Sequence, residues 1–127
     1  MEKQVTQGLK NTFLVHSVMM TIFALTYLFL PVWWGNITGC LSNQVPQVFR
    51  LFGTAILGYG ISSFLSYKEN SWEKVKIVAQ MNCVITVLFP IVIVLALFFW
   101  DLPSIGWMYF VIMSGFAIAF NYFCFRK

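Results

Sequence analysis

Apolar positions along this chain fall into four long, nearly uninterrupted runs, divided by short segments in which polar and charged residues collect. The runs cover about 12–32 (TFLVHSVMMTIFALTYLFLPV), 46–67 (PQVFRLFGTAILGYGISSFLSY), 75–99 (VKIVAQMNCVITVLFPIVIVLALFF) and 104–125 (SIGWMYFVIMSGFAIAFNYFCF). A hydrocarbon core about 30 Å thick needs roughly 20 apolar residues per helix, and each run meets that length. The pattern predicts an all-α polytopic membrane protein, a four-transmembrane-helix bundle of two hairpins forming one transmembrane domain over 1–127. The first run is too long for the apolar region of a signal peptide and no small-x-small cleavage site follows it, so a retained helix is expected.

The polar segments supply the orientation. Lys3 and Lys10 precede the first run, Lys68, Lys74 and Lys76 lie between the second and third, and Arg126 and Lys127 follow the fourth. The opposite connections, 33–45 and WDLPSIGW, carry no basic residue. Basic residues of short loops stay on the cytoplasmic side, so both termini are expected there and the protein is expected in the cell membrane. Trp33, Trp34, Trp100 and Trp107 all fall at the predicted outer boundary, where amphipathic rings prefer to sit.

Composition agrees: 60% of residues are hydrophobic, 9% are charged, and the mean hydropathy is +0.81. Four spans and their loops use nearly all 127 residues, leaving no room for a soluble domain. The net charge of +4 reads as a topology signal with some contact to anionic lipid head groups. Membrane lipids are therefore the expected partners and nucleic acid is not. Cys40 lies across the membrane from Cys83 and Cys124, and the chain has neither a CxxC motif nor metal-ligand spacing. A glycosylation sequon at Asn36 lies too close to the membrane to carry weight.

Packing signals come next. In the second run Thr54, Gly58, Ser62 and Ser66 recur every four residues, a stripe of small side chains that lets helix backbones approach, with Gly53 and Gly60 on an adjacent face. Such a helix is central to the bundle or sits between protomers of a homo-oligomer. Asn82, Thr86 and Pro90 share one face of the third run, and Pro90 is expected to kink or wedge it.

Five polar residues are candidates for a ligand pocket. By a rise of about 1.5 Å per residue, His16 lies roughly 9 Å beyond Lys10, Ser62 and Asn82 lie equally far from Lys68 and Lys76, and Asn121 is five residues before Arg126. All four helices thus offer a polar group at one depth, with Thr86 a turn beyond Asn82. The functional reading is a pocket open to the cytoplasm around His16; the structural reading is hydrogen bonding between helices. Arg50, the one basic residue on the other face, has Asp101 as its acidic candidate, and an ion pair between them is expected, with snorkelling to head groups as the alternative. His16, Met20, Phe23 and Tyr27 form a stripe that reads as core packing. Haem would need axial ligands and the chain has a single His, so no cofactor is expected.

The segment RLFGTAILGYGISSFLSY, followed by a basic loop and a helix with an early Asn82, resembles uncharacterised small four-helix membrane proteins of prokaryotes with an RLxGxxxLGxG-like second helix. That resemblance covers about 40 residues, implies a four-helix bundle and transfers no activity. Small fluoride channels and multidrug transporters have a similar length, but the membrane-embedded Glu and the channel-type polar motif are missing. No carboxylate lies inside the apolar runs, which disfavours acid–base catalysis, a metal cage and proton-coupled transport. The expected function is a non-enzymatic accessory, assembly or small-ligand or lipid-binding bundle. The alternative is a small transporter or channel with a polar inner-leaflet pocket around His16 and Asn82.

Overall fold

The computed structural model describes residues 4–40 and 46–125. Three basic residues of the topology argument, Lys3, Arg126 and Lys127, lie outside the described residues. The described chain folds into five helices: α1 (Gln7–Phe29), α2 (Pro31–Thr38), α3 (Pro46–Lys68), α4 (Trp72–Phe99) and α5 (Gly106–Phe125). Four of them, α1, α3, α4 and α5, are long and apolar enough to cross a membrane.

Local chemistry sets the helix ends. α1 starts five residues before the apolar run because the Thr6 hydroxyl accepts the Leu9 N–H at 3.3 Å. It stops at Phe29, short of the expected residue 32: Leu30 leaves helical geometry at φ −125°, ψ 40°, and Pro31 has no N–H with which to extend the ladder. Proline then suits the first position of a new helix, and α2 runs until Gly39 closes it at φ +72°. The expected loop over 33–45 thus begins inside a helix of eight residues, which places Trp33 and Trp34 on helical backbone. α4 runs unbroken through Pro90. It ends where Asp101 takes φ +52°, and the Leu102 N–H returns to the Ala96 carbonyl at 3.0 Å.

α1 packs closely on α3 and α4 on α5, as two hairpins; between hairpins, α1 meets α5 and α3 meets α4 more sparingly. The α1–α3 contact runs through Gly53 and Gly60. A Cβ on Gly53 would sit 3.0 Å from the Ala24 carbonyl oxygen, and one on Gly60 3.1 Å from the Thr21 hydroxyl. The expected stripe does not form this contact. Thr54 and Gly58 are exposed, Ser62 is half-buried and only Ser66 is buried. The reason is helical arithmetic: at 3.6 residues per turn a four-residue repeat drifts by about 40° each step and winds off any face. The seven-residue interval from Gly53 to Gly60 drifts back by only about 20°. Asn82, Thr86 and Pro90 do turn inward together on α4.

The end of the bundle near the chain termini is solid. Leu9, Phe13, Val75, Ala79, Cys83, Phe120 and Cys124 form its core. The N-terminal segment is tied to the α3–α4 turn: the Val5 N–H donates to the Asn70 carbonyl at 2.9 Å, Gln4 and Ser71 form an isolated antiparallel bridge, and Lys10 Nζ donates to Asn70 Oδ1. Lys74–Glu69 at 3.2 Å and Lys76–Glu73 at 3.9 Å are the ion pairs among the described residues.

Candidate functional site

The polar residues expected at one depth divide into two groups. His16, on α1, and Asn82, on α4, are fully buried and meet at Ser63 of α3. The Ser63 hydroxyl lies 2.9 Å from His16 Nδ1 and accepts from Asn82 Nδ2 at 3.4 Å. Thr86 continues this node along α4, donating to the Asn82 carbonyl at 2.6 Å. Three helices contribute hydrogen-bonding groups. The fourth, α5, contributes aromatic edges: Phe116 and Phe120 lie 4.9 and 5.3 Å from the His16 ring, and Tyr59 of α3 lies 5.3 Å from it.

Ser62 and Asn121 do not join them. The Ser62 hydroxyl donates to its own helix at Tyr59 O (2.8 Å), and Asn121 Nδ2 to its own helix at Ala117 O (2.8 Å). The serine that matters is one residue later, rotated about 100° onto the Gly53–Gly60 face. That face was the available signal: Ser63 lies three residues after Gly60.

The node is not a pocket open toward the terminal end. Leu9, Phe13, Val75, Ala79 and Phe120 close it off on that side, all nearly or wholly buried. Within this sealed region His16 Nε2, Asn82 Oδ1 and the Tyr59 hydroxyl have no hydrogen-bond partner among the described residues.

The open space lies on the other side of Tyr59. A cavity of about 420 Å³ separates the two hairpins from mid-bundle toward the α2 end. Its base is formed by Met20, Tyr59 and Met113, and its sides by Phe23, Phe49, Ile56, Ile85, Phe89 and Ile112. Cys40 and Leu102 border it from the connections. The α1 stripe Met20, Phe23 and Tyr27 is therefore cavity wall over much of its length. Among the described residues no charged side chain lines the space.

Polar groups gather at its α2 end. The hydroxyls of Tyr27 and Tyr109 are 2.9 Å apart, and Trp34 Nε1 donates to the Tyr109 hydroxyl at 3.0 Å. Trp34 reaches that position because the break at Leu30–Pro31 folds α2 across the end of the bundle. Neither α2 nor this triad was visible in the hydrophobic pattern, which reads Trp33 and Trp34 only as boundary markers.

Arg50 and Asp101 do not form the expected ion pair. Asp101 occupies the left-handed turn after α4, and Arg50 faces the corner between α1 and α2. Among the described residues, no three His, Cys, Asp or Glu side chains are grouped to hold a metal ion. Family models, curated proteins and solved structures yield no match to this chain.

Proposed function

We propose that the chain crosses a membrane four times with both termini on the cytoplasmic side, and that it holds one neutral, largely apolar small molecule drawn from the bilayer. The cavity between the hairpins carries this reading. Its volume falls in the range of small-molecule sites, roughly 300–1,000 Å³, and its walls are apolar with a few convergent hydroxyls. A charged ligand would meet no counter-charge there. A molecule with one hydroxyl or carbonyl group finds donors and acceptors at Tyr27 and Tyr109.

Membrane insertion is supported by the exposed apolar side chains around the long helices, Val15, Ile22, Leu51, Ile77, Val111 and Ile118 among them. It is supported too by the charge bias, with Lys10, Lys68, Lys74 and Lys76 at one end and exposed Trp33, Trp100 and Trp107 at the other. The binding reading is preferred over a transporter or channel because none of His16, Asn82 and Arg50 lines the cavity.

The test is native mass spectrometry of the protein released from its own membranes, with extraction of whatever is retained. One neutral molecule per chain is expected. Ile56→Trp, which places an indole in the cavity, is expected to abolish retention without lowering the melting temperature. Wild-type protein that retains nothing, or an Ile56→Trp variant that retains the same molecule, overturns the reading.

A further inference from the structure

Among the described residues Arg50 is a cation without an ion-pair partner. The chain contains four carboxylates, Glu2, Glu69, Glu73 and Asp101. Glu69 and Glu73 pair with lysines at the far end of the bundle, and Asp101 is not bridged to Arg50. No acidic residue occurs anywhere from Lys3 to Lys68, so neither α1, α2, α3 nor their connections can neutralise the guanidinium.

The side chain is also not simply projecting from a helix. The departure of Leu30 from helical geometry and the start of α2 at Pro31 open an angle between α1 and α2, and α3 passes beside it. Arg50 stands in the resulting groove with Asn36 and the apolar side chains of Phe29, Val32 and Trp33. Arg50 and Asn36 are exposed, and Trp33 is about half exposed (54%). Five N–H donors on Arg50 and an amide on Asn36 thus face a space whose remaining walls are hydrocarbon and indole. A guanidinium matches two oxygens of a phosphate at once, and indole rings prefer the head-group level of a bilayer.

We infer that this groove is a binding site for the phosphate of an anionic membrane lipid, with Arg50 and Asn36 donating to phosphate oxygens and Trp33, Phe29 and Val32 packing on the upper acyl chain. The inference rests on the membrane-spanning part of the proposed function and not on the cavity, from which Arg50 and Asn36 are absent. Charge complementarity selects the anion, and the hydrocarbon walls select a lipid over a free phosphate ester.

The experiment uses full-length protein in vesicles of equal parts phosphatidylglycerol and phosphatidylcholine, with bound lipid counted by native mass spectrometry. Wild type is expected to retain one phosphatidylglycerol more per chain than Arg50→Gln, whose affinity falls roughly tenfold. Ile118→Ala, an exposed position on α5 outside the groove, is expected to leave that count unchanged, and Arg50→Lys to restore it in part. Near-UV circular dichroism confirms that each variant is folded. Equal phosphatidylglycerol retention by wild type and Arg50→Gln overturns the inference. So does displacement of the lipid by millimolar inorganic phosphate, which assigns the groove to a free anion. The Ile56→Trp variant keeps the groove intact, so failure of cavity binding and failure of this site are read separately.

Discussion

The phenol oxygens of Tyr27 and Tyr109 meet at 2.9 Å across the seam between the two hairpins, and the same Tyr109 oxygen accepts the Trp34 indole N–H. One atom therefore joins α1, α2 and α5 where the hairpins otherwise stand apart around a cavity. Tyr109→Phe removes both bonds and leaves the Trp34 N–H and the Tyr27 hydroxyl without that partner. A hydrogen bond between membrane helices contributes about 0.6–1.7 kcal/mol, so the variant should lose about 1–3 kcal/mol in a reversible unfolding titration in bicelles. Tyr27→Phe, which removes one bond, should lose about half as much.

Ser63 and Ser62 make a paired test of the polar node. Ser63→Ala leaves His16 Nδ1 and Asn82 Nδ2 without this partner in a fully buried region, and should destabilise the fold by about 1–3 kcal/mol. Ser62→Ala removes only a bond to its own helix, and should change stability by less than about 0.5 kcal/mol. Equal effects in the same titration would contradict the assignment of Ser63 as the meeting point.

The glycines of α3 separate in the same way. Gly53→Ala places a Cβ against the Ala24 carbonyl oxygen and the Leu28 nitrogen, backbone atoms that cannot turn aside, and should destabilise by about 1–3 kcal/mol. Nothing stands within 4 Å of a Cβ at Gly58. Gly58→Ala should therefore be neutral or stabilising by up to about 1 kcal/mol through helix propensity. Thermal unfolding followed by circular dichroism distinguishes the two.

How far the chain discloses itself depends on the kind of physics involved. Four long helices follow from run length alone, because thermodynamics of transfer acts on sums of residues. Helix ends are set by single groups, so Thr6 and Pro31 move the boundaries of α1 and create α2. The inward face of α4 is legible, since Asn82, Thr86 and Pro90 span only two turns. The stripe on α3 does not pack inside the bundle, because a four-residue repeat rotates out of register over twelve residues. His16 and Asn82 are identified by their cost in an apolar environment. Ser63 is not legible because depth along a helix says nothing of rotation about its axis. The cavity has no sequence signature: it is the space left where two tightly packed hairpins meet loosely.

Cys40 tests the orientation. It borders the cavity at the α2 end and is half-buried. A membrane-impermeant maleimide added to intact cells should label it, while Cys83 and Cys124, both buried, remain unlabelled until the protein is denatured. Labelling of Cys40 only after permeabilisation would reverse the proposed topology. Occupancy of the cavity should slow the labelling, and Ile56→Trp should remove that dependence on ligand.

The ties from Val5, Gln4 and Lys10 to Asn70 and Ser71 have a mechanical consequence. They tie one hairpin to the connection leading into the other at a single extremity of the molecule, while at the far extremity Tyr27, Trp34 and Tyr109 are the side chains hydrogen-bonded across the seam among the described residues. The two hairpins are thus joined largely by backbone at one tip and by side chains at the other. Asn70→Ala removes only the Lys10 bond among these ties, because the Val5 tie runs to the backbone carbonyl of residue 70 and the Gln4–Ser71 bridge is backbone as well, so that end should hold with a small loss of stability.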